Sequence, residues 1–321
     1  WKEENTNANR IEYSLRNTIY TAFTIEGRTI FTIYDLLNNP DFRKNAIKGL
    51  TDENLVNFWK FEFGKAGDFQ VVKMAGGVTA KIGRFLFSPT AKRILEQPKS
   101  TIDFYDIINS GKILICNLSQ GKLGEDTSRI LGITILTKLQ QAALKRANIK
   151  EKDRRAFYLY VDEFQNFATQ SCTKLHSEGR KYKLRVVVAE QSTSQQDDPR
   201  IINIILANVT TVVVFRSANP IDEELMLSQL APSIERGDIS NLPRYHFYIK
   251  VSAIDSEEPF SGETIYIPVE KDQKKMDQLI QASRDNHAIV YKKPEPKVVL
   301  PTVKAPFKGK YKGAKKNVNT L

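Results

Sequence analysis

Phe157-Tyr158-Leu159-Tyr160-Val161-Asp162-Glu163 is an apolar run that ends in two adjacent carboxylates. Aromatic and β-branched residues in sequence suit a strand in a sheet interior. In open α/β sheets, ligands collect beyond the carboxyl ends of the strands. Carboxylates fixed at such an end can hold a divalent cation through water and orient a nucleophilic water. The same dipeptide also suits a strand that ends in a solvated acidic turn.

Two further apolar runs follow, each ending in a polar side chain. Val186-Val187-Val188-Ala189 precedes Glu190-Gln191, and Val212-Val213-Val214-Phe215 precedes Arg216. Helical patterns over Thr173–Tyr182 and Pro199–Ala207 separate the runs, and Pro220–Leu230 continues the alternation. Upstream, Ile113–Leu118 is a continuous apolar run of the kind buried on both faces of a parallel sheet, which places Cys116 in the core. A long helix through Ala147 follows, capped by Asp126 or Thr127, with Ile130, Leu131, Ile135, Leu136, Leu139 and Ala143 on one face. His246–Ser252 and Thr264–Val269 are predicted as later strands. Repeated β-α alternation predicts an α/β fold, a doubly wound and mainly parallel sheet flanked by helices.

The first hundred residues have a different texture. Ile11, Leu15, Ile19 and Phe23 recur at helical spacing. Thr32–Leu37 predicts a helix capped by Thr32 with Asp35 at the capping-box position, and Phe42–Leu50 predicts another. Leu55, Phe58, Trp59 and Phe63 form a further stripe. Gly76-Gly77 predicts a break before a helix over Thr79–Phe87, and Ser100–Asn109 reads as a short strand and helix. These patterns divide the chain into a frayed start (1–9), a helical subdomain (10–98), an α/β core (99–275), a C-terminal helix (276–290) and a Lys/Pro-rich disordered tail (291–321).

Composition bounds the function classes. The chain has 321 residues, 41% hydrophobic and 26% charged, as in ordinary globular domains. Its net charge of +11 invites a nucleic-acid reading. From Lys292 onward, however, nine lysines face one acid, Glu295, so the basic signal belongs mainly to the tail. The two cysteines, Cys116 and Cys172, form no disulfide framework or zinc spacing. His176, His246 and His287 show no ligand spacing either. No apolar run approaches the ~20 residues of a membrane span, which fits a cytoplasmic protein.

The run from Phe157 to Glu163 has the Walker B form, so Asp162 is the candidate Mg²⁺ ligand and Glu163 the candidate base. Gln191 stands where an amide donor can sense a γ-phosphate, and Arg216 where a guanidinium can stabilise transferred phosphoryl charge. The plain alternatives are a loop glutamine and a surface ion pair. Phe157–Ala168 (FYLYVDEFQNFA), Ser177–Tyr182 (SEGRKY), Glu190–Gln196 (EQSTSQQ) and Ile205–Pro220 (ILANVTTVVVFRSANP) together resemble the HerA/FtsK superfamily of P-loop ATPases. More narrowly, they resemble the conjugative coupling ATPases of type IV secretion. Lys81–Pro89, Gln97–Phe104 and Gly111–Gly124 extend the likeness, which spans about residues 10–270.

The resemblance implies a RecA-like core with an N-terminal helical insertion, ATP and Mg²⁺ as cofactors, and a homo-hexameric ring that passes DNA through its pore. It further implies a relaxase and a type IV secretion channel as partners, and Gln165, Asn166, Thr169 and Gln170 at the DNA. It makes Asp162 and Glu163 the catalytic pair, Gln191 the sensor and Arg216 a finger acting on the neighbouring subunit. One departure is plain: the sequence contains no GxxxxGK[ST], and Gly64-Lys65, Gly111-Lys112 and Gly121-Lys122 all lack the flanking residues of a phosphate-cradling loop. The expectation is that the motor's N-terminal part, with that loop and any membrane anchor, precedes Trp1, and that this stretch alone hydrolyses little ATP. A non-catalytic scaffold or nucleic-acid-binding subunit with a degenerate ATPase fold, and a cytosolic HerA-like DNA-processing ATPase, remain open at this point.

Overall fold

A computed structural model describes residues 6–65, 68–195, 198–252, 258–294 and 297–298. The chain divides into two compact units, one holding residues 1–87, 92–98 and 292–321, the other 88–91 and 99–291. Residues 1–5 of the expected frayed start and the tail beyond 298 lie outside the described residues, whereas residues 6–9 are helical.

The first unit is helical. It contains α1 (Thr6–Phe23), β1 (Ile25–Glu26), α2 (Ile30–Asn38), α3 (Pro40–Lys48), α4 (Glu53–Asn57), a π-helical turn (Phe58–Phe63) and α5 (Asp68–Leu86). The chain passes between units within α6 (Pro89–Leu95). Phe31, Leu36, Phe58, Trp59, Phe63, Val78 and Ile82 share one core. The buried face of α1 is polar: Ser14, Thr18 and Thr21 are fully buried. Thr18 donates to the Ser14 carbonyl, and Thr21 accepts the Trp59 indole N–H at 2.7 Å.

Two local expectations fail here. The cap of α2 is Thr29, three residues ahead of Thr32. Its hydroxyl accepts from Phe31 N–H, and the Thr32 hydroxyl accepts from Thr29 N–H, a reciprocal box that Thr32 completes from inside the helix. Gly76-Gly77 does not break α5. Gly77 lies against Ile11, where a Cβ would come within 2.6 Å of Ile11 Cδ1. A close approach of helices explains the residue better than a turn.

The second unit is α/β. After α7 (Phe104–Ser110), α8 (Gln120–Leu123) and α9 (Glu125–Lys145) come β2 (Phe157–Val161), α10 (Gln170–Glu178), β3 (Leu184–Val188), α11 (Pro199–Leu206), β4 (Thr211–Phe215), α12 (Pro220–Leu230), β5 (His246–Val251), β6 (Phe260–Glu263) and α13 (Gln273–His287). β2 and β3 pair in parallel, in register from Phe157 opposite Leu184 to Val161 opposite Val188. β4, β5 and β6 form a separate antiparallel sheet. A further short pair joins β1 to β7 (Lys297–Val298). Leu136, Leu139, Phe164, Cys172, Leu175, Leu184, Ile201 and Ile205 make the core beneath β2 and β3.

The α/β class stands, with a parallel pair backed by helices, but several expected strands do not. Ile113–Leu118 forms no strand; Ile113 is 88% and Ile115 84% exposed, and Cys116 is exposed rather than core. No described residue pairs with that run, and a strand exists only through its ladder. Ser100–Asn109 supplies α7 alone. The late strand is Phe260–Glu263, while Ile265, Tyr266, Ile267 and Val269 are exposed and irregular. The residue at the N-cap of α9 is Gly124, and Thr127 is buried, its hydroxyl donating to Ser88.

Arg146 joins three elements of this unit. It is fully buried and donates to the Asn109 side chain at 3.0 Å, the Tyr182 carbonyl at 2.8 Å and the Ile108 carbonyl. Arg146→Ala leaves those acceptors buried and unmet, an expected loss on the order of 3 kcal/mol, to be read as a lower urea midpoint. A midpoint unchanged within error contradicts the clamp.

Candidate functional site

The carboxyl ends of β2 and β3 meet. The ladder continues past both strands, Ala189 N–H donating to the Val161 carbonyl and Phe164 N–H to the Ala189 carbonyl, each at 3.0 Å. Between them Glu163 adopts a left-handed conformation at φ 50°. A side chain there costs about 1–2 kcal/mol. The strain persists because Asn166 N–H closes a turn on the Glu163 carbonyl at 3.0 Å while Phe164 is buried below.

This geometry brings Glu163 and Gln191 into contact. Gln191 Nε2 donates to Glu163 Oε1 at 2.5 Å, and Gln165 Nε2 donates to Glu163 Oε2 at 2.6 Å. Gln165 Nε2 also reaches Gln195 Oε1 at 3.3 Å. Both oxygens of a half-buried carboxylate are therefore oriented by amides. Asp162, one residue earlier, is exposed, with Oδ1 accepting Glu163 N–H at 3.0 Å. Both acids open on a cleft of about 990 Å³, lined by the 111–120 segment, α9, β2 and Gln195.

Arg216 is placed differently. It is exposed beyond β4 and lines a cavity of about 270 Å³ with Pro243, Arg244, Tyr245 and His246, away from the Asp162 cleft. The expectation of a single, mainly parallel sheet is corrected accordingly: β4 is not paired with β3 and lies in another sheet. Of the loop residues, Gln165 and Asn166 line the cleft. The Thr169 hydroxyl lies 3.2 Å from Cys172 Sγ at the start of α10. The side chain of Gln170 lies outside the described residues.

The residues present fit one end of a nucleotide site. Mg²⁺ keeps most of its waters and needs only one or two carboxylates besides phosphate, which an exposed Asp162 can provide. Among the described residues no cluster of three or more metal-ligating side chains exists, so no all-protein cage is offered. Gly121 lies within the single turn of α8 and Gly124 at its C-terminal end.

Sequence reasoning missed Gln165 and Gln195 as partners of the site. In EQSTSQQ nothing distinguishes Gln195 from Gln191 or Gln196, and Gln165 read as a DNA contact. It missed Gly132 as well. A Cβ on Gly132 would come within 2.3 Å of Phe167, so the bare glycine of α9 admits the turn that follows Glu163.

The fold of the chain is shared with a solved structure. The chain resembles the bacterial conjugative coupling protein TrwBdeltaN70 in its unbound monoclinic form, with a TM-score of 0.53 and 16% identity over 83% of this chain and 70% of that one. A weaker likeness, with a TM-score of 0.31 at 16% identity over 42% of this chain and 64% of the other, is to the genome packaging NTPase B204 from Sulfolobus turreted icosahedral virus 2 in complex with sulfate. No protein-family model matches the chain, and no curated protein is similar to it. Among the described residues, no helix is long and apolar enough to cross a membrane.

His176 of α10 supports the site from below, edge-on to Phe164 at 6.1 Å between ring centroids, with Nε2 buried and unpartnered. Burial holds its pKa below the ordinary value near 6.5. The unfolded chain therefore takes up a proton before the folded chain does. Stability is expected to fall as pH drops below about 6.5 and to level off below the folded-state pKa. Urea midpoints at about pH 7.5 and about pH 5.5 should differ less in His176→Gln than in the parent; an equal difference removes His176 from the effect.

Proposed function

We propose that this chain is the Walker B-bearing part of an ATP-driven DNA translocase of the conjugative coupling kind. The observation that carries the proposal is the convergence of Glu163 and Gln191 from adjoining parallel strands, in a chain with the fold of a coupling protein. Magnesium-bound ATP supplies the phosphoryl group that is cleaved. Asp162 would hold the Mg²⁺ that accompanies ATP. Glu163, kept in one orientation by the Gln165 and Gln191 amides, positions the attacking water and takes its proton. Gln191 is the donor that answers to the γ-phosphate. Arg216, which lines a different cavity from Asp162 and Glu163, serves the site of a neighbour in a homo-hexameric ring.

Asn166 and Thr169 of the loop after Glu163 are assigned to DNA phosphates, with Gln170, as sequence-independent contacts. Gln165, expected at the DNA, is assigned instead to orienting Glu163. A relaxase cargo, a type IV secretion channel and attachment to the membrane through segments outside this chain complete the reading.

The test is DNA-stimulated phosphate release by the full-length protein. Glu163→Gln is expected to lower kcat by at least about a hundredfold, the scale of a lost general base, with little change in DNA binding. Full turnover in Glu163→Gln removes the base role. Absence of turnover in the parent, with DNA binding intact, favours a non-catalytic scaffold instead.

A further inference from the structure

The loop after β3 and the loop after β4 are fastened together by side chains, although the strands themselves are unpaired. Asp222 in the first turn of α12 is 5% exposed. Its Oδ1 accepts Thr193 N–H at 3.0 Å and the Thr193 hydroxyl at 2.6 Å, and its Oδ2 accepts the Ser217 hydroxyl at 3.4 Å. Asn219, the N-cap of α12, donates through Nδ2 to Ser192 Oγ at 3.2 Å and Ser194 Oγ at 3.1 Å.

The usual duty of an acid at this helix position is local. It reaches back to the N-cap N–H and closes a capping box. Here the Asn219 N–H goes to Ser217 Oγ at 3.2 Å, and Asp222 reaches across 29 residues to Thr193. The neighbouring acid points elsewhere: Glu223 Oε1 accepts Gly237 N–H at 2.9 Å and Ser240 N–H at 3.4 Å. Two consecutive buried acids thus hold two different loops, and only Asp222 holds the one that contains Gln191.

The residues fastened are the immediate neighbours of the candidate sensor and finger. Ser192 and Thr193 follow Gln191, whose amide binds Glu163, and Ser217 follows Arg216. We infer that Asp222 is a positioning residue that locks the Gln191 loop to the Arg216 loop, so that a shift of the sensor at Glu163 moves the arginine presented to the neighbouring subunit. The inference rests on the ATPase reading for its functional consequence, while the lock itself is independent of that reading. A buried carboxylate with three donors suits the task, since it resists rearrangement unless its donors move together.

Two measurements on the full-length protein test the lock. The first is amide hydrogen exchange without nucleotide. Asp222→Ala removes both acceptor oxygens; it should raise exchange together in the segments 191–195 and 217–221, leaving β2 protected. Exchange raised in the second segment alone, or in neither, overturns the lock. The second is DNA-stimulated turnover. Thr193→Val should lower kcat about tenfold, within the usual range of coupling between sites, with the ATP KM little changed, and Thr193→Ser should restore it. Arg216→Ala combined with Thr193→Val should lose no more than Arg216→Ala alone; full additivity, or failure of Thr193→Ser to rescue, overturns the coupling. If Glu163→Gln retains full turnover, the ATPase reading fails while the exchange result still decides the lock.

Discussion

The parallel pairing of β2 with β3 is the constraint on which the rest of the second unit depends. Five residue pairs in register, extended by the Ala189 and Phe164 amides, bring the ends of two strands side by side. Only in that register do the residues just beyond the strands, Glu163 and Gln191, face each other. A one-residue shift of β2 would turn its side chains to the opposite face, sending Leu159 to solvent and Tyr160 inward. The apolar cluster contributed by α9, α10 and α11 resists such a slip, because Phe157, Leu159, Val161, Val186 and Val188 pack on it.

A two-stranded parallel sheet has little stability alone, so its support lies in what packs beneath. Gly132 admits Phe167, Phe164 is buried against His176, and Arg146 satisfies carbonyls of the elements on either side. The strained backbone at Glu163 sits on this base. The opposite face is bare: Tyr158 is 59% and Tyr160 72% exposed. The chemistry therefore lies at the boundary between a packed face that fixes geometry and an open cleft that admits ligand.

Polar side chains rather than ladder bonds carry the connection onward. β4 belongs to another sheet, yet its following loop is tied to the sensor loop through Asp222, Thr193, Asn219 and two serines. Hydroxyl and amide contacts between loops are individually modest, about 1 kcal/mol each, and can exchange partners without unfolding either sheet. The first unit shows a quieter use of the same chemistry, where α1 buries Thr18 and Thr21 by returning both hydroxyls to its own backbone, Thr21 also accepting from Trp59.

The sequence by itself determined the class of elements and the residues at their tips. Periodicity is local, so the helices α9 to α12 and the strands β2 to β5 were legible, as were Asp162, Glu163 and Gln191 as strand-end residues. The tertiary structure alone decided which edges pair, which glycine is a contact and which a turn, and what each polar tip touches. Ile113–Leu118 has the composition of a buried strand but no ladder partner among the described residues, Gly76-Gly77 reads as a break but Gly77 meets Ile11, and Gln165 reads as a DNA contact but binds Glu163. Asp222 reads as an ordinary acid in a helix's first turn, and only its distance from Thr193 gives it another task. The physical reason is common to all four: pairing, close approach and hydrogen bonding across dozens of residues depend on positions in space that no local pattern encodes.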